Sequence, residues 1–275
     1  MKTSQIHISI KSIIQKSAYV KNASHKSEKY EKALSGIDIP VRFMLYSLRF
    51  QGFLPSRKEK FRMKRMIDTM YPSMPWDEID AVVFDIGNVL VEMDEHQVLR
   101  AMFPNDEALR RRVLLHTLRS PYWHMLDSGE LSMDECVEAM TEGDPTLLSP
   151  VRRFVTGWPD YRYIVEEGRN AVYTCKEHGK KLYLLSNYPV EHYERNLREY
   201  DFFSLFDGAV ISARVHMLKP RFDIYRYLTD TYGLAPERTL FIDDSSANIE
   251  AALMLGWHGF CLNEPGKLQK FLGAE

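Results

Sequence analysis

Cysteine is scarce in this chain of 275 residues: only Cys136, Cys175 and Cys261 are present. Three scattered thiols do not make a disulfide framework or a zinc knuckle. They fit a reducing, cytoplasmic compartment, where buried Cys behaves as a small hydrophobe. Long apolar runs are missing as well. No stretch approaches the roughly 18 residues a membrane span needs. No apolar stretch of about 7–15 residues follows the first charges, as a secretory signal would require. The formal net charge of −2 singles out no polyanion, so nucleic acid is not an expected partner.

That small net charge hides an asymmetry. Residues 1–65 hold 15 Lys/Arg against 4 Asp/Glu, whereas the remaining 210 hold 21 against 34. A basic N-terminal extension over residues 1–75 therefore precedes an acidic body, and the two need separate readings. Three readings of the extension stand side by side. It is a disordered or loosely helical basic tail, or translated sequence ahead of a true start at Met63 or Met66, or a targeting segment. The last shares with transit peptides the lack of acidic residues before Glu28, but it carries Lys rather than Arg up to Arg42.

From residue 80 onward, short apolar strands alternate with amphipathic helices. AVVFDI, KLYLLS, FDGAVIS, TLFID and FCLN read as strands. HQVLRAMF, EALRRRVLLHTLR and MDECVEAM carry a helical period, with no convincing strand between residues 95 and 155. Residues 160–178 are expected to form one long helix ended by Gly179, and Pro220 to open the helix RFDIYRYLTDTY, stopped by Gly233. Strands alternating with helices argue for an α/β fold, a Rossmann-like doubly wound parallel sheet. The stretch after the first strand is too long for a simple crossover, so residues 95–159 read as an inserted helical cap. Residues 76–94 and 160–275 then make up the core.

Ligands of such sheets sit at the carboxyl ends of the strands. The first strand ends in Asp85-Ile86-Gly87-Asn88 and the second in Ser186-Asn187. A third connection supplies Lys219-Pro220, and the fourth strand ends in Asp243-Asp244. Each alone is an ordinary turn or helix cap. Together they supply carboxylates, a hydroxyl, an amide and an ammonium, a set that suits a phosphate. Crowded carboxylates repel unless a cation is present. Oxygen-only ligands suit Mg²⁺, which binds through one or two carboxylates and shares the substrate phosphate. An Asp beside such an ion can attack phosphorus, Lys219 would offset the charge, and Ser186 and the Asn187 side chain or backbone would donate to the phosphoryl oxygens.

These motifs, VVFDIGNVL (81–90), LLSN (184–187), LKP (218–220) and FIDDSSANIEAA (241–252), resemble those of the haloacid dehalogenase-like superfamily over about residues 80–272. The resemblance implies a capped Rossmann-like core and, in most members, Mg²⁺-dependent phosphoryl transfer on a small phosphorylated metabolite. It implies Asp85 as nucleophile and metal ligand, the Gly87 carbonyl and Asp244 as further ligands, and Asp243 as ligand or close neighbour. It also implies Ser186, with Asn187, as the phosphate-binding pair and Lys219 as the balancing cation. Most phosphatases of the family carry an Asp two residues after the nucleophile as general acid/base, where this chain has Gly87. The pattern Asp-x-Gly-Asn-Val resembles a branch that includes sugar-phosphate phosphatases, among them enzymes of glucose 1-phosphate. An anomeric leaving oxygen would need less protonation. Alternatively a cap residue supplies the proton, and Glu92, Asp94 and His96 are near in sequence, though each reads as surface. PYWHMLDSGELS in the cap either faces substrate or packs the cap core. The rival functions are a 2-haloacid dehalogenase, which would use the same Asp on carbon and has no need of Asp243-Asp244, and an inactive phosphometabolite-binding domain. Oligomeric state is not legible.

Overall fold

The computed structural model describes residues 73–273. The expectations for the basic extension up to residue 72, including those for Met63 and Met66, lie outside the described residues. Within them, five parallel strands form one sheet: β1 (Ala81–Phe84), β4 (Lys181–Ser186), β5 (Gly208–Ile211), β6 (Thr239–Asp243) and β7 (His258–Cys261), in the order β5-β4-β1-β6-β7. The chain runs outward from β1 through β4 to β5, then returns to the other side of β1 for β6 and β7. The order therefore reverses at β1, and a crevice opens beyond its carboxyl end.

The strands read as unbroken apolar runs because both faces of the sheet are covered. Val82, Phe84, Leu182, Leu184, Leu240 and Ile242 point to one face, where they join Ala171, Val172 and Cys175 of α6 (Glu166–Glu177) and Phe271 of α11 (Lys267–Leu272). Ala81, Val83, Tyr183, Leu185 and Phe241 point to the other. They meet Ile224, Tyr225 and Leu228 of α9 (Phe222–Tyr232) and Ile249 and Ala252 of α10 (Ser246–Met254). α7 (Val190–Glu199) connects β4 to β5. Gly168 of α6 is required by close approach. A Cβ there would sit 1.7 Å from the Val89 carbonyl oxygen, so only glycine lets the helix press on the loop that follows β1.

Between β2 (Val91–Glu92) and β3 (Tyr163–Ile164) lie five helices: α1 (Glu95–Met102), α2 (Glu107–His116), α3 (Pro121–Ser128), α4 (Met133–Thr141) and α5 (Leu148–Gly157). Their starts are written locally. Asp94 caps α1 by accepting from His96 N at 2.8 Å and Gln97 N at 2.9 Å, and Ser132 with Glu135 forms a capping box on α4. Val98, Leu99, Val113, Leu126, Val137, Val151 and Phe154 fill the interior of this insert. β2 and β3 pair antiparallel, so the chain enters and leaves the cap through one narrow two-stranded strap.

Two local expectations are corrected. Residues 160–178 are not one helix. A short 3₁₀ turn over Trp158–Tyr161 and strand β3 precede α6, because Tyr163–Ile164 is drawn into pairing with Val91–Glu92. Pro220 does not open α9. It lies in the turn before it, and Arg221 holds the extended N-cap position. No described helix is long and apolar enough to cross a membrane.

Candidate active site

The crevice beyond β1 gathers the four motifs. Asp85 follows β1 directly, and its N–H donates to the Ile242 carbonyl at 2.9 Å, which extends the pairing with β6 by one rung. Its carboxylate is nearly closed off from solvent, with Oδ1 accepting from Ile86 N at 2.7 Å. Lys219 reaches in from the loop ahead of α9. Its Nζ lies 2.9 Å from Asp85 Oδ1 and 2.6 Å from Asp243 Oδ2, and all three side chains are buried. Asp243, the last residue of β6, also accepts from Ser245 N at 2.8 Å and from the Asn248 amide at 3.0 and 3.1 Å. Three donor groups, making four hydrogen bonds, therefore hold it in one orientation. Asp244 is less enclosed, and its Oδ2 accepts from the Asn88 amide at 2.9 Å.

Three carboxylates thus crowd together: one oxygen each from Asp85, Asp243 and Asp244 fall within 4.8 Å of one another. Their energetics follow from that crowding. Burial pushes Asp85 up to about 7, Lys219 pulls it back, and Asp243 adds to the rise. Burial raises Asp244 too, against the Asn88 hydrogen bond. For Lys219, burial opposes the charge, but Asp243 and Asp85 outweigh it and keep the ammonium above its ordinary range. One cation set among three carboxylates leaves an excess of negative charge in a poorly solvated place, which a divalent ion with oxygen ligands would relieve. The residues present fit such an ion.

The remaining expected residues fall at the same place with altered parts. Ser186 ends β4, is buried, and its hydroxyl lies against the Asp85 carboxylate, favouring the charged form. The Asn187 carboxamide is occupied elsewhere. Its Nδ2 donates to Lys219 O at 3.0 Å while its Oδ1 accepts from Lys219 N at 2.8 Å. Its side chain therefore clasps the lysine backbone. Gly87 begins the loop that rims the crevice, and a Cβ there would meet no atom within 4 Å. Glu92, Asp94 and His96 do not line the cleft over this loop: Asp94 is spent on the α1 cap, the His96 side chain is 64% exposed, and Glu92 lies in β2.

Sequence reasoning gave two residues no role of their own. Asn88, with a left-handed backbone (φ 56°), ties the first motif to Asp244, and an Asn that tolerates that conformation is its signal. Asp127, near the end of α3, lines the cleft above the crevice. This cleft encloses about 320 Å³, and its walls include Gly87, Asn88, Met93, Trp123, Trp158 and Tyr188. Burial, with the Asp85 charge, pushes Asp127 up to about 8.

A reversed-order parallel sheet with acidic strand ends under a helical insert defines a capped Rossmann-like α/β protein. The chain belongs to the haloacid dehalogenase-like hydrolases, whose family profile matches residues 79–256. It is 26% identical over 190 residues to the sesquiterpene phosphatase astK of Aspergillus oryzae, covering 67% of this chain and 90% of that one. It is 25% identical over 198 residues to the drimenol cyclase drtB of Aspergillus calidoustus, covering 70% of this chain but spanning only 36% of the cyclase's length. Among solved structures, it resembles HAD family enzyme bt-2542 of Bacteroides thetaiotaomicron, in complex with magnesium and inorganic phosphate. The TM-score there is 0.55 at 21% identity, over 69% of this chain and 98% of the other. The L-2-haloacid dehalogenase of Xanthobacter autotrophicus shares the fold at a TM-score of 0.50 and 18% identity, over 66% and 76%.

Proposed function

We propose that this protein is a magnesium-dependent phosphatase that hydrolyses a small phosphorylated metabolite through an aspartyl-phosphate on Asp85. The carrying observation is the convergence of Asp85, Asp243 and Asp244 on one point with Lys219 between two of them. In this reading residues 95–159 cover the substrate, while 76–94 and 160–275 carry the chemistry, in the cytoplasmic setting that three free cysteines fit.

Asp85, the Gly87 carbonyl and Asp244 would hold Mg²⁺, with Asp243 beside them. The ion would neutralise phosphoryl oxygens and lower the charge barrier to an anionic nucleophile. Asp85 attacks phosphorus in line, the ester P–O bond breaks, and the alcohol departs with a proton. Water then attacks the aspartyl-phosphate and releases inorganic phosphate. Lys219 orients Asp85 through its 2.9 Å contact and offsets charge on the transferring group. Ser186 donates to a phosphoryl oxygen. Asn187 contributes by fixing Lys219. Asp243, held by Lys219, Ser245 N and Asn248, keeps the lysine aimed.

The cleft favours a phosphate ester of an apolar alcohol over a sugar phosphate. Val91, Met93, Leu118, Trp123, Trp158 and Tyr188 supply apolar and aromatic wall. Of the charged groups there, Arg119 and Glu95 are paired with each other at 2.6 Å, which leaves few partners for a ring of hydroxyls. The likeness to a sesquiterpene phosphatase supports the same direction. A dehalogenase reading finds no use for Asp244, and a merely binding domain has no need of an aligned Lys219–Asp85 pair.

The test is a panel of prenyl monophosphates and sugar phosphates, with and without Mg²⁺, on the wild type and on Asp85→Asn. Turnover is expected to require Mg²⁺, to be higher on the prenyl esters and to vanish in Asp85→Asn with the fold intact. Full activity in that variant overturns the assignment.

A further inference from the structure

We propose that Asp127 of the cap is the proton donor to the leaving-group oxygen, standing in for the acid that position 87 lacks. The inference rests on the phosphatase reading above. A phosphate ester of a simple alcohol leaves as a strongly basic alkoxide unless it is protonated, and Gly87 brings no side chain to do this. Asp127 lines the same cleft as Gly87 and Asn88. Among the described residues of that cleft wall, it is the one carboxyl group without a hydrogen-bond or ion-pair partner, since Glu95 is held by Arg119.

Its position is fixed by the core rather than left to the cap. The Ser212 hydroxyl, from the short helix α8 (Ser212–Val215) after β5, donates to the Asp127 carbonyl and accepts from Tyr188 N at 2.9 Å. The His216 ring nitrogen Nδ1 bonds the next carbonyl, that of Ser128, at 3.1 Å. Gly129 then ends α3 in the left-handed conformation. A Cβ there would lie 2.3 Å from the Ala213 carbonyl oxygen, so the helix end can dock this closely only as glycine. Three consecutive residues, Asp127 to Gly129, are thus seated on one turn of the core. A proton donor must hold its place relative to the reacting atoms, and this seat provides that.

The local electrostatics agree. Burial, with the Asp85 charge, pushes Asp127 up to about 8, the direction that favours the protonated form a donor needs. The titratable groups that face it are Asp85 from the core, Cys136 from α4, and the paired Glu95 and Arg119 on the cleft wall. As Asp85 Oδ bonds to phosphorus and the ester P–O bond breaks, the Asp127 proton passes to the departing oxygen, which leaves as the neutral alcohol. In the second step water attacks the aspartyl-phosphate and gives a proton to the Asp127 carboxylate. The Asp85–phosphorus bond breaks, and both carboxyl groups return to their starting forms.

The test compares two leaving groups. kcat/KM reports the steps up to release of the alcohol, and p-nitrophenolate departs without help whereas an alkoxide does not. In Asp127→Asn, kcat/KM for an alkyl or prenyl phosphate is expected to fall about 100-fold more than kcat/KM for p-nitrophenyl phosphate. Asp127→Glu is expected to restore part of the loss on the alkyl ester. The aryl ester reports folding and phosphoryl transfer in the same preparation. Equal losses on both esters, or no loss on either, overturn the assignment. Asp85→Asn is run alongside: if it still turns over both esters, the phosphatase reading itself has failed, and if it is dead while Asp127→Asn loses both esters equally, only this inference has.

Discussion

The ammonium of Lys219 lies 2.9 Å from Asp85 Oδ1, and no solvent separates the two side chains. A buried cation among carboxylates is strongly coupled to them, and removing one partner of such a group costs about 3–5 kcal/mol. Lys219→Met is therefore expected to unfold at lower temperature and to lose phosphatase activity. Because the variant leaves the carboxylates without a counter-charge, added Mg²⁺ should recover more stability in it than in the wild type. Thermal melts with and without the ion check this.

Asn187 acts on the same lysine from its backbone side. Its two hydrogen bonds, at 2.8 and 3.0 Å, join the end of β4 to the loop that carries Lys219. Asn187→Ala leaves the lysine N–H and C=O unpartnered and is expected to cost about 1–3 kcal/mol. Activity should fall with it, because Lys219 is no longer aimed. Measuring denaturant midpoints and kcat on one preparation checks both halves.

Metal binding gives a reading that does not depend on knowing the substrate. At a Mg²⁺ concentration about 100 times its Kd, the stabilisation is about 2.7 kcal/mol. The wild type should melt at a higher temperature in Mg²⁺. Asp244→Asn should abolish most of that shift while leaving the Lys219–Asp243 contact, and hence the fold, in place.

Acid sensitivity has a separate source. His192 of α7 is packed edge-on against Trp158, ring centroids 4.7 Å apart, and burial, with Arg162 nearby, brings its pKa down to about 4. Its folded value lies below the ordinary one, so the unfolded chain takes up the proton first. The neutral form contributes its full stability above about pH 6.5, and that contribution is lost as the pH falls toward 4. A stability loss of about 3 kcal/mol is expected across that interval. His192→Phe should flatten this part of the pH–stability curve, read by urea unfolding at a series of pH values.

The sheet and its acidic ends were legible because buried parallel strands are short, fully apolar and closed by polar residues. Ala81–Phe84 before Asp85 and Thr239–Ile242 before Asp243 are plain cases. The strap of β2 and β3 was not legible. Two-residue strands carry no period, and Tyr163–Ile164 gains its conformation only from its distant partner Val91–Glu92. Side-chain partners were hidden for the same reason: that Asn187 grips Lys219, or that Asn88 reaches Asp244, depends on loops meeting in space. Asp127 was the least visible. It lies within PYWHMLDSGELS, which reads either as substrate-facing or as cap core, and the docking of Asp127–Gly129 on Ser212–His216 depends on loops distant in sequence.

The most direct measurement is to trap the phosphorylated protein. The enzyme is mixed with Mg²⁺ and a phosphate monoester that it hydrolyses, quenched in acid within a single turnover, digested and mapped by mass spectrometry. The expected result is one phosphoryl group on the peptide that contains Asp85, absent from Asp85→Asn. Turnover with no phosphoryl group on that peptide, or with the group on another residue, would contradict the proposed chemistry.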